Sequence, residues 1–337
     1  MAEYHQLGKC GLRVSVPIIT MSFSTKKWAP WVIEEDKALP LLKAAWDHGV
    51  TTIDTANASC SAKYTIDNSE KIIAKFIKTY NISCSELIIA TKCIGLISRD
   101  PTICTGLCPN LANLQEYVNQ GGLSRSAIFK QVDASLERLK TSYINLLQIH
   151  RFDPKVPVEE EMKVLRDVVE SGKVRYIRAS SMQCWQFALM NEVAEKNGWT
   201  KFVSMQDEYS LLYHEDVKMH AYCNYNGIGI IPWAPLAAGA LAQPFGTQTT
   251  HSSLSVAQYK DSDKLIISCV DELAKKKGCM MGQIALAWTQ MKVVSPIVGC
   301  SSAERLEEAI MQGVELTKEE IVYLEELYKP KPIRGHA

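Results

Sequence analysis

Neither sign of charge is in excess. The 337-residue chain has 37 Lys and Arg against 37 Asp and Glu, a formal net charge of +0. A binder of the nucleic-acid backbone shows a basic patch or stripe, and no such stripe with interleaved aromatics occurs here, so nucleic acid is not an expected partner. Long apolar runs are missing too: no stretch approaches the ~20 apolar residues that a bilayer crossing needs. The opening Met1-Ala2-Glu3-Tyr4-His5 holds neither a basic leader nor an apolar segment. No membrane association is expected, and the cytoplasm is the expected compartment. Ordered cysteine spacing is a further absence. The eleven cysteines are odd in number and scattered, with Cys104 and Cys108 the closest pair in a Gly/Pro-containing segment. No Cys-x-x-Cys knuckle with histidines at zinc spacing appears, so free thiols and no metal are expected.

What is present is an ordinary globular composition, 47% hydrophobic and 22% charged, with one repeating unit. A short β-branched run, a loop and an amphipathic helical pattern recur along the chain. Candidate strands lie at 18–19, 51–53, 87–90, 144–149, 174–177, 202–205, 228–231 and 296–298. Helical patterns between them include Ile72, Ile73, Phe76, Ile77 and Tyr80, and Ile128, Val132, Leu136 and Leu139, with Ser69 and Ser124 as candidate N-caps.

Strands followed throughout by helices imply right-handed crossovers and a parallel sheet, and eight units is the number at which such a sheet closes. The alternative is a doubly wound open sheet. No Gly-x-Gly-x-x-Gly follows a strand and no Walker-type loop occurs, so both common open-sheet nucleotide fingerprints are absent. The expected fold is therefore α/β, a single (β/α)8 TIM barrel over residues 1–337. A hairpin over 4–16, turning near Gly8-Lys9-Cys10-Gly11, is placed to cap its N-terminal end. Long connections are expected over 95–122 and 234–261, and the tail Lys329-Pro330-Lys331-Pro332 is expected on the surface.

In a closed parallel barrel the chemistry sits at the carboxyl ends of the strands. Those ends carry Asp54, Lys92, His150, Ser180 with Ser181, Gln206, Trp233, and the segment 299–302. Each alone has a plain structural role: Asp54 in an Asx-turn, His150 as a satisfied imidazole, Lys92 in an ion pair. Their convergence on one rim points to a functional cluster, because a buried Asp and Lys are costly unless paired.

At these residues the sequence resembles the aldo-keto reductases, fungal-type members above all, over nearly the whole chain. The resemblance rests on Ile53-Asp54-Thr55-Ala56-Asn57, Ala90-Thr91-Lys92, Leu146-Leu147-Gln148-Ile149-His150-Arg151, Gly172-Lys173-Val174-Arg175-Tyr176-Ile177, Ala179-Ser180-Ser181-Met182, Ile231-Pro232-Trp233 and Ser295-Pro296-Ile297-Val298-Gly299. It implies a (β/α)8 barrel, NADPH as cofactor, and a catalytic set of Asp54, Lys92, His150 and a tyrosine. Counted from Asp54, the family's tyrosine falls on Ser59; counted back from Ser69-Glu70 it falls on Tyr64. The resemblance assigns the role to Tyr64, with 58–62 read as an insertion.

The resemblance further implies that Ser180 or Ser181, with Gln206, holds the nicotinamide carboxamide and that Trp233 stacks on the ring. Leu236 and Gly239 would line the pyrophosphate path, Ser301 and Arg305 would hold the adenosine 2′-phosphate with Glu308 towards the adenine, and Gly299 would also border the cofactor. Glycines common in the family are replaced by Ile19, Ser24 and Arg178, adding bulk near the cofactor rim, and a loop arginine is replaced by Ala238. Arg178 has two open readings, an anion contact inside the site or an outward surface side chain. Asp207 stands where the family has Asn. Trp28 and Trp31 are candidates for a pocket wall. The triplets Glu159-Glu160-Glu161 and Lys275-Lys276-Lys277 suit a helix start and a helix end.

The expected activity is reduction of a small-molecule aldehyde or ketone by a monomer, in a dedicated fungal-type pathway. The alternatives are non-redox acid–base chemistry on the same fold, or a cofactor-binding regulatory protein without turnover.

Overall fold

The computed structural model describes residues 1–20, 33–57, 59–61, 64–66, 68–97, 109–247, 259–310 and 313–336, with backbone alone for 59–61, 64–66, 68 and 109. The chain begins with an antiparallel hairpin of β1 (Glu3–Gln6) and β2 (Arg13–Val16). Eight parallel strands then curl into the barrel: β3 (Ile18–Thr20), β4 (Thr52–Asp54), β7 (Ile88–Cys93), β8 (Ile144–Ile149), β9 (Val174–Ser180), β10 (Ser204–Gln206), β11 (Gly229–Ile230) and β12 (Ile297–Gly299). Between β4 and β7 lies a two-stranded antiparallel ribbon, β5 (Ser59–Ser61) and β6 (Tyr64–Ile66). Helices α1 (Glu35–Asp47), α2 (Asn68–Thr79), α3 (Arg125–Leu139), α4 (Val158–Glu170), α5 (Cys184–Lys196), α6 (Val217–Asn226), α7 (Asp261–Lys277), α8 (Met281–Gln290), α9 (Ala303–Ile310) and α10 (Lys318–Glu325) complete the order.

The sheet runs β11-β10-β9-β8-β7-β4-β3-β12. Two backbone bonds link the sheet's edges through residues flanking its outermost strands, Val294 N–H, ahead of β12, to Ile230 O at 3.0 Å and Ile297 N–H to Pro232 O, just after β11, at 2.8 Å. Alternation decides what faces where, since successive side chains of a strand point to opposite faces. On β9, Ile177 and Ala179 join the main core between sheet and helices, which turns Tyr176, Arg178 and Ser180 inward. On β8, Leu147 and Ile149 face the helices and Leu146 and Gln148 the interior.

The N-terminal end of the barrel is closed by the hairpin. Leu7 and Val14 pack with Ile18, Ala90, Leu146, Ile231 and Ile297. Gly8 allows this approach: its φ is +61°, and a Cβ there would lie 2.4 Å from Gly227 O, so only glycine fits.

All eight expected strands are present; most bounds shift by one or two residues, and two strands run well past their expected ends. β7 runs on through Lys92 to Cys93, and β9 through Arg178 to Ser180. Ser124 caps α3 by accepting from Ala127 N–H. Ser69 does not cap α2: the helix starts one residue earlier, and the Ser69 hydroxyl donates to Ala56 O. The acidic triplet opens α4 as expected, but Glu161 is fully buried, with both oxygens unpartnered among the described residues. Burial, with Asp153 adding to it, raises its carboxyl well above the usual range. Ile19 faces the helical layer with Ile53, so it adds no bulk to the barrel interior. The tail is pinned to the body rather than merely lying on it: Lys331 Nζ donates to Asp263 at 2.5 Å, Arg334 pairs with Glu208, and His336 lies 3.1 Å from Asp216. Ser24, Trp28, Trp31, Cys104 and Cys108 lie outside the described residues.

Candidate active site

The strand ends deliver polar side chains into a largely apolar barrel, and these find one another. Asp54, the last residue of β4, and Lys92 of β7 are both buried, and Lys92 Nζ donates to Asp54 Oδ2 at 2.5 Å and to Thr55 O at 2.8 Å. Arg178 also enters the interior, which resolves its two readings: it is fully buried and its Nη2 donates to Asp54 Oδ1. Gln206 Nε2 donates to the same oxygen at 3.2 Å, and Gln148 Nε2 donates to Gln206 Oε1 at 3.1 Å. One carboxylate therefore serves two cations and an amide.

Charge and burial set the protonation states. Burial alone would raise the Asp54 carboxyl, but the Lys92 and Arg178 charges outweigh it and hold the group below the usual carboxylate range. Burial pushes the Lys92 ammonium below the usual lysine range; Asp54 opposes this and Arg178 adds to it. His150 follows β8, its N–H donating to Cys93 O at 3.0 Å. Burial and the Lys92 and Arg151 charges push its imidazole down to about 3, so at neutral pH the ring is uncharged. The half-buried Arg151 donates to His150 O at 2.7 Å and reaches Ser180 Oγ at 3.5 Å.

Along the rim, Ser180 and Ser181 are buried beside Gln206, with Ser181 N–H donating to Gln206 O at 3.0 Å. Trp233 Nε1 donates to Ser181 Oγ at 3.2 Å, which fixes the indole plane. The loop after β11 holds Ala234, Ala237 and Ala238 at φ of 56°, 48° and 55°. A left-handed conformation costs a non-glycine residue roughly 1–2 kcal/mol, and such strain gathers at ligand clamps and active sites. Leu236 and Gly239 belong to this loop. At the last residue of β12 and beyond it, Gly299, Ser301 and Arg305 are exposed and Glu308 half-buried, and Arg305 Nη1 donates to Ser301 Oγ at 3.2 Å.

Asp54, Lys92, His150 and the rim serines thus come together. Gln206 turns further inward than a purely rim-facing residue, with both ends of its amide engaged. Tyr64 opens β6, pairing with Ser61 in the ribbon where an insertion was expected, and its side chain lies outside the described residues. Asp207 is buried and pairs with His220 Nε2 at 2.7 Å. Gln148 and Arg151 were not singled out from the sequence. Period-two alternation from Leu146 points to Gln148 and His150 on one face, which is the signal that finds the first.

Comparison with known proteins places the chain in a family. The profile described as aldo/keto reductase family matches residues 20–329. The chain belongs to the aldo/keto reductase family. An aldo-keto reductase of Fusarium vanettenii is 47% identical over 351 residues, covering 99% of this chain and 93% of the relative. The versiconal hemiacetal acetate reductase of Aspergillus parasiticus is 43% identical over 343 residues, covering 98% of each. A putative aryl-alcohol dehydrogenase of Schizosaccharomyces pombe is 43% identical over 347 residues, covering 98% of this chain and 97% of the relative. Family membership brings carbonyl oxidoreduction with a nicotinamide dinucleotide, NAD(P)H, as the general chemistry. Among the described residues no helix is long and apolar enough to cross a membrane.

Proposed function

We propose that this aldo-keto reductase is a cytoplasmic, monomeric single barrel domain, residues 1–337, that reduces an aldehyde or ketone to an alcohol with NADPH. The observation that carries the reading is the buried Lys92–Asp54 pair beside an uncharged His150 at neighbouring strand ends.

When bound, the dinucleotide supplies hydride to the carbonyl carbon. The chain's own task is the carbonyl oxygen. A neutral His150 donates a hydrogen bond to that oxygen and polarises it without delivering its proton. Tyr64 gives the proton. A phenol with an ordinary pKa of about 10 needs help near neutrality, and the Lys92 ammonium favours the phenolate left behind. Asp54 holds that ammonium in place. Positioned acid catalysis of this kind contributes ~10²–10⁴-fold.

The residues present suit the dinucleotide. Ser180, Ser181 and Gln206 offer hydroxyls and one uncommitted amide N–H for a carboxamide, Trp233 offers a fixed ring for stacking, and the strained loop with Leu236 and Gly239 suits the pyrophosphate. Gly299 leaves the rim of β12 open, and Ser301, Arg305 and Glu308 complete the adenosine end. An exposed guanidinium suits a bidentate phosphate contact and favours NADPH over NADH. The names of the relatives, a versiconal hemiacetal acetate reductase and a putative aryl-alcohol dehydrogenase, support a place in fungal secondary metabolism.

A second reading, non-redox chemistry or a regulatory protein that binds cofactor without turnover, is favoured by the engagement of Arg178 on Asp54. Two measurements separate the readings. Titration with NADPH and NADH, followed by protein fluorescence, should show NADPH-selective binding that Arg305→Ala loses. Turnover of a panel of aldehydes and ketones should vanish in Tyr64→Phe. Failure to bind either dinucleotide, or a Tyr64→Phe variant as active as the parent, refutes the reductase reading; binding without turnover supports the second.

A further inference from the structure

Arg178 is fully buried, and among the described residues only Trp288 is a larger side chain with so little exposure. Nothing in the mechanism above employs it. Removing a guanidinium from water costs several kcal/mol unless the charge is compensated, and here compensation is incomplete. Asp54 is shared: Lys92 takes Oδ2, while Arg178 and Gln206 take Oδ1. Arg178 Nε and Nη1 have no hydrogen-bond partner among the described residues.

The groups that face Lys92 can be named element by element. Asp54 comes from β4, His150 and the half-buried Arg151 from the end of β8, and Arg178 from β9. Asp54 is the one anion in this set. Gln148 and Gln206, from β8 and β10, connect to it as neutral amides. Two buried cations therefore share one carboxylate, with a third cation close by.

We propose that Arg178 is a positioning residue for Lys92: by occupying one oxygen of the shared carboxylate it leaves the ammonium only partly neutralised and sets the upper pH limit of the site's acid–base chemistry. Were Asp54 free of Arg178, it would serve Lys92 alone and hold the proton on nitrogen more firmly. With Arg178 in place, the ammonium gives up that proton at lower pH. Its less-neutralised charge also favours the phenolate of an adjacent proton donor more strongly. The catalytic meaning rests on the function proposed above, whereas the charge relation among Asp54, Lys92 and Arg178 does not.

The test is a titration of the full-length protein labelled with ¹³C at lysine Cε, with the Lys92 resonance assigned by its loss in Lys92→Met. A neighbouring charge within ~4–6 Å shifts a titration by ~1–3 pH units. In Arg178→Met the Lys92 resonance should therefore titrate at least ~1 unit higher than in the parent, a tenfold gain in proton affinity. Arg178→Lys, which keeps the charge, should stay with the parent. Should Arg178→Met not fold, Arg178→Gln replaces it, keeping a hydrogen bond to Asp54 without the charge. The high-pH limb of kcat/KM for carbonyl reduction should move upward with the resonance. An unchanged Lys92 titration in the uncharged variant, or an Arg178→Lys protein that follows the uncharged variant, overturns the proposal. If the resonance moves but no carbonyl is turned over by the parent, the inference stands and the reductase reading fails.

Discussion

Replacing Asp54 by Asn removes the anion on which two buried cations depend, and the size of the effect follows from the structure. Breaking a buried pair by removing one partner costs ~3–5 kcal/mol, because the other charge stays uncompensated. Arg178 cannot escape by deprotonating, but Lys92 can. Neutralising an ordinary lysine at pH 7 costs about 4.6 kcal/mol, from 3.4 pH units below its value of ~10.4 at 1.36 kcal/mol each. Lys92 starts below that range, so its neutralisation is cheaper than that, while the Arg178 charge stays, and the loss at pH 7 should fall within ~3–5 kcal/mol. A lysine whose folded pKa is depressed binds fewer protons folded than unfolded, so stability rises with pH. The deficit of Asp54→Asn should accordingly narrow by up to ~2.7 kcal/mol between pH 7 and 9. Urea unfolding of parent and variant at both pH values, followed by far-ultraviolet circular dichroism, reads both quantities. A loss under ~1 kcal/mol at pH 7, or one that widens toward pH 9, refutes the charge accounting.

Further outcomes are expected elsewhere. Glu70 on α2 is fully buried and accepts from Thr91 Oγ1 and Arg138 Nε, each at 2.6 Å; Glu70→Ala should cost ~3–5 kcal/mol and, for a chain of this length, lower the melting temperature by ~4–7 °C, and a shift under ~2 °C would contradict it. The depressed His150 pKa means that the unfolded chain takes up a proton first as pH falls below ~6.5, so stability should drop on acidification by up to about 2 kcal/mol by pH 5. The ring's partial exposure makes that an upper bound, and His150→Gln should show a flatter loss of urea midpoint over the same range; equal slopes would exclude this origin. Gly8→Ala should destabilise by ~2 kcal/mol or more, combining left-handed strain with a clash against the Gly227 and Gly229 backbone, and an unchanged midpoint in denaturant would show that the hairpin does not seat as described.

The sequence makes the barrel readable because its strands are short β-branched runs and its helices carry a clear apolar stripe. Strand ends are less readable for a physical reason. β7 and β9 continue past their apolar runs because their last inward positions are polar, Lys92, Arg178 and Ser180, and a hydrophobicity criterion stops where the polar interior begins. Asp54, Lys92 and His150 could be found by their place at strand ends. The engagement of Arg178 and Gln206 could not, since which carboxylate a long side chain reaches depends on the relative placement of strands far apart in the chain. Glu161 was hidden for the opposite reason: its two acidic neighbours on α4 are exposed and suit the helix dipole, and nothing local distinguishes the one that turns inward.

Leu7 and Val14 stopper the N-terminal end of the barrel with apolar side chains. The charges of Asp54, Lys92 and Arg178 are themselves buried, and that plug puts hydrocarbon rather than water behind them. Ionic attractions gain strength where the surroundings are poorly polarisable. The N-terminal hairpin, far from any reacting atom, thereby serves as electrical insulation for the opposite end of the molecule.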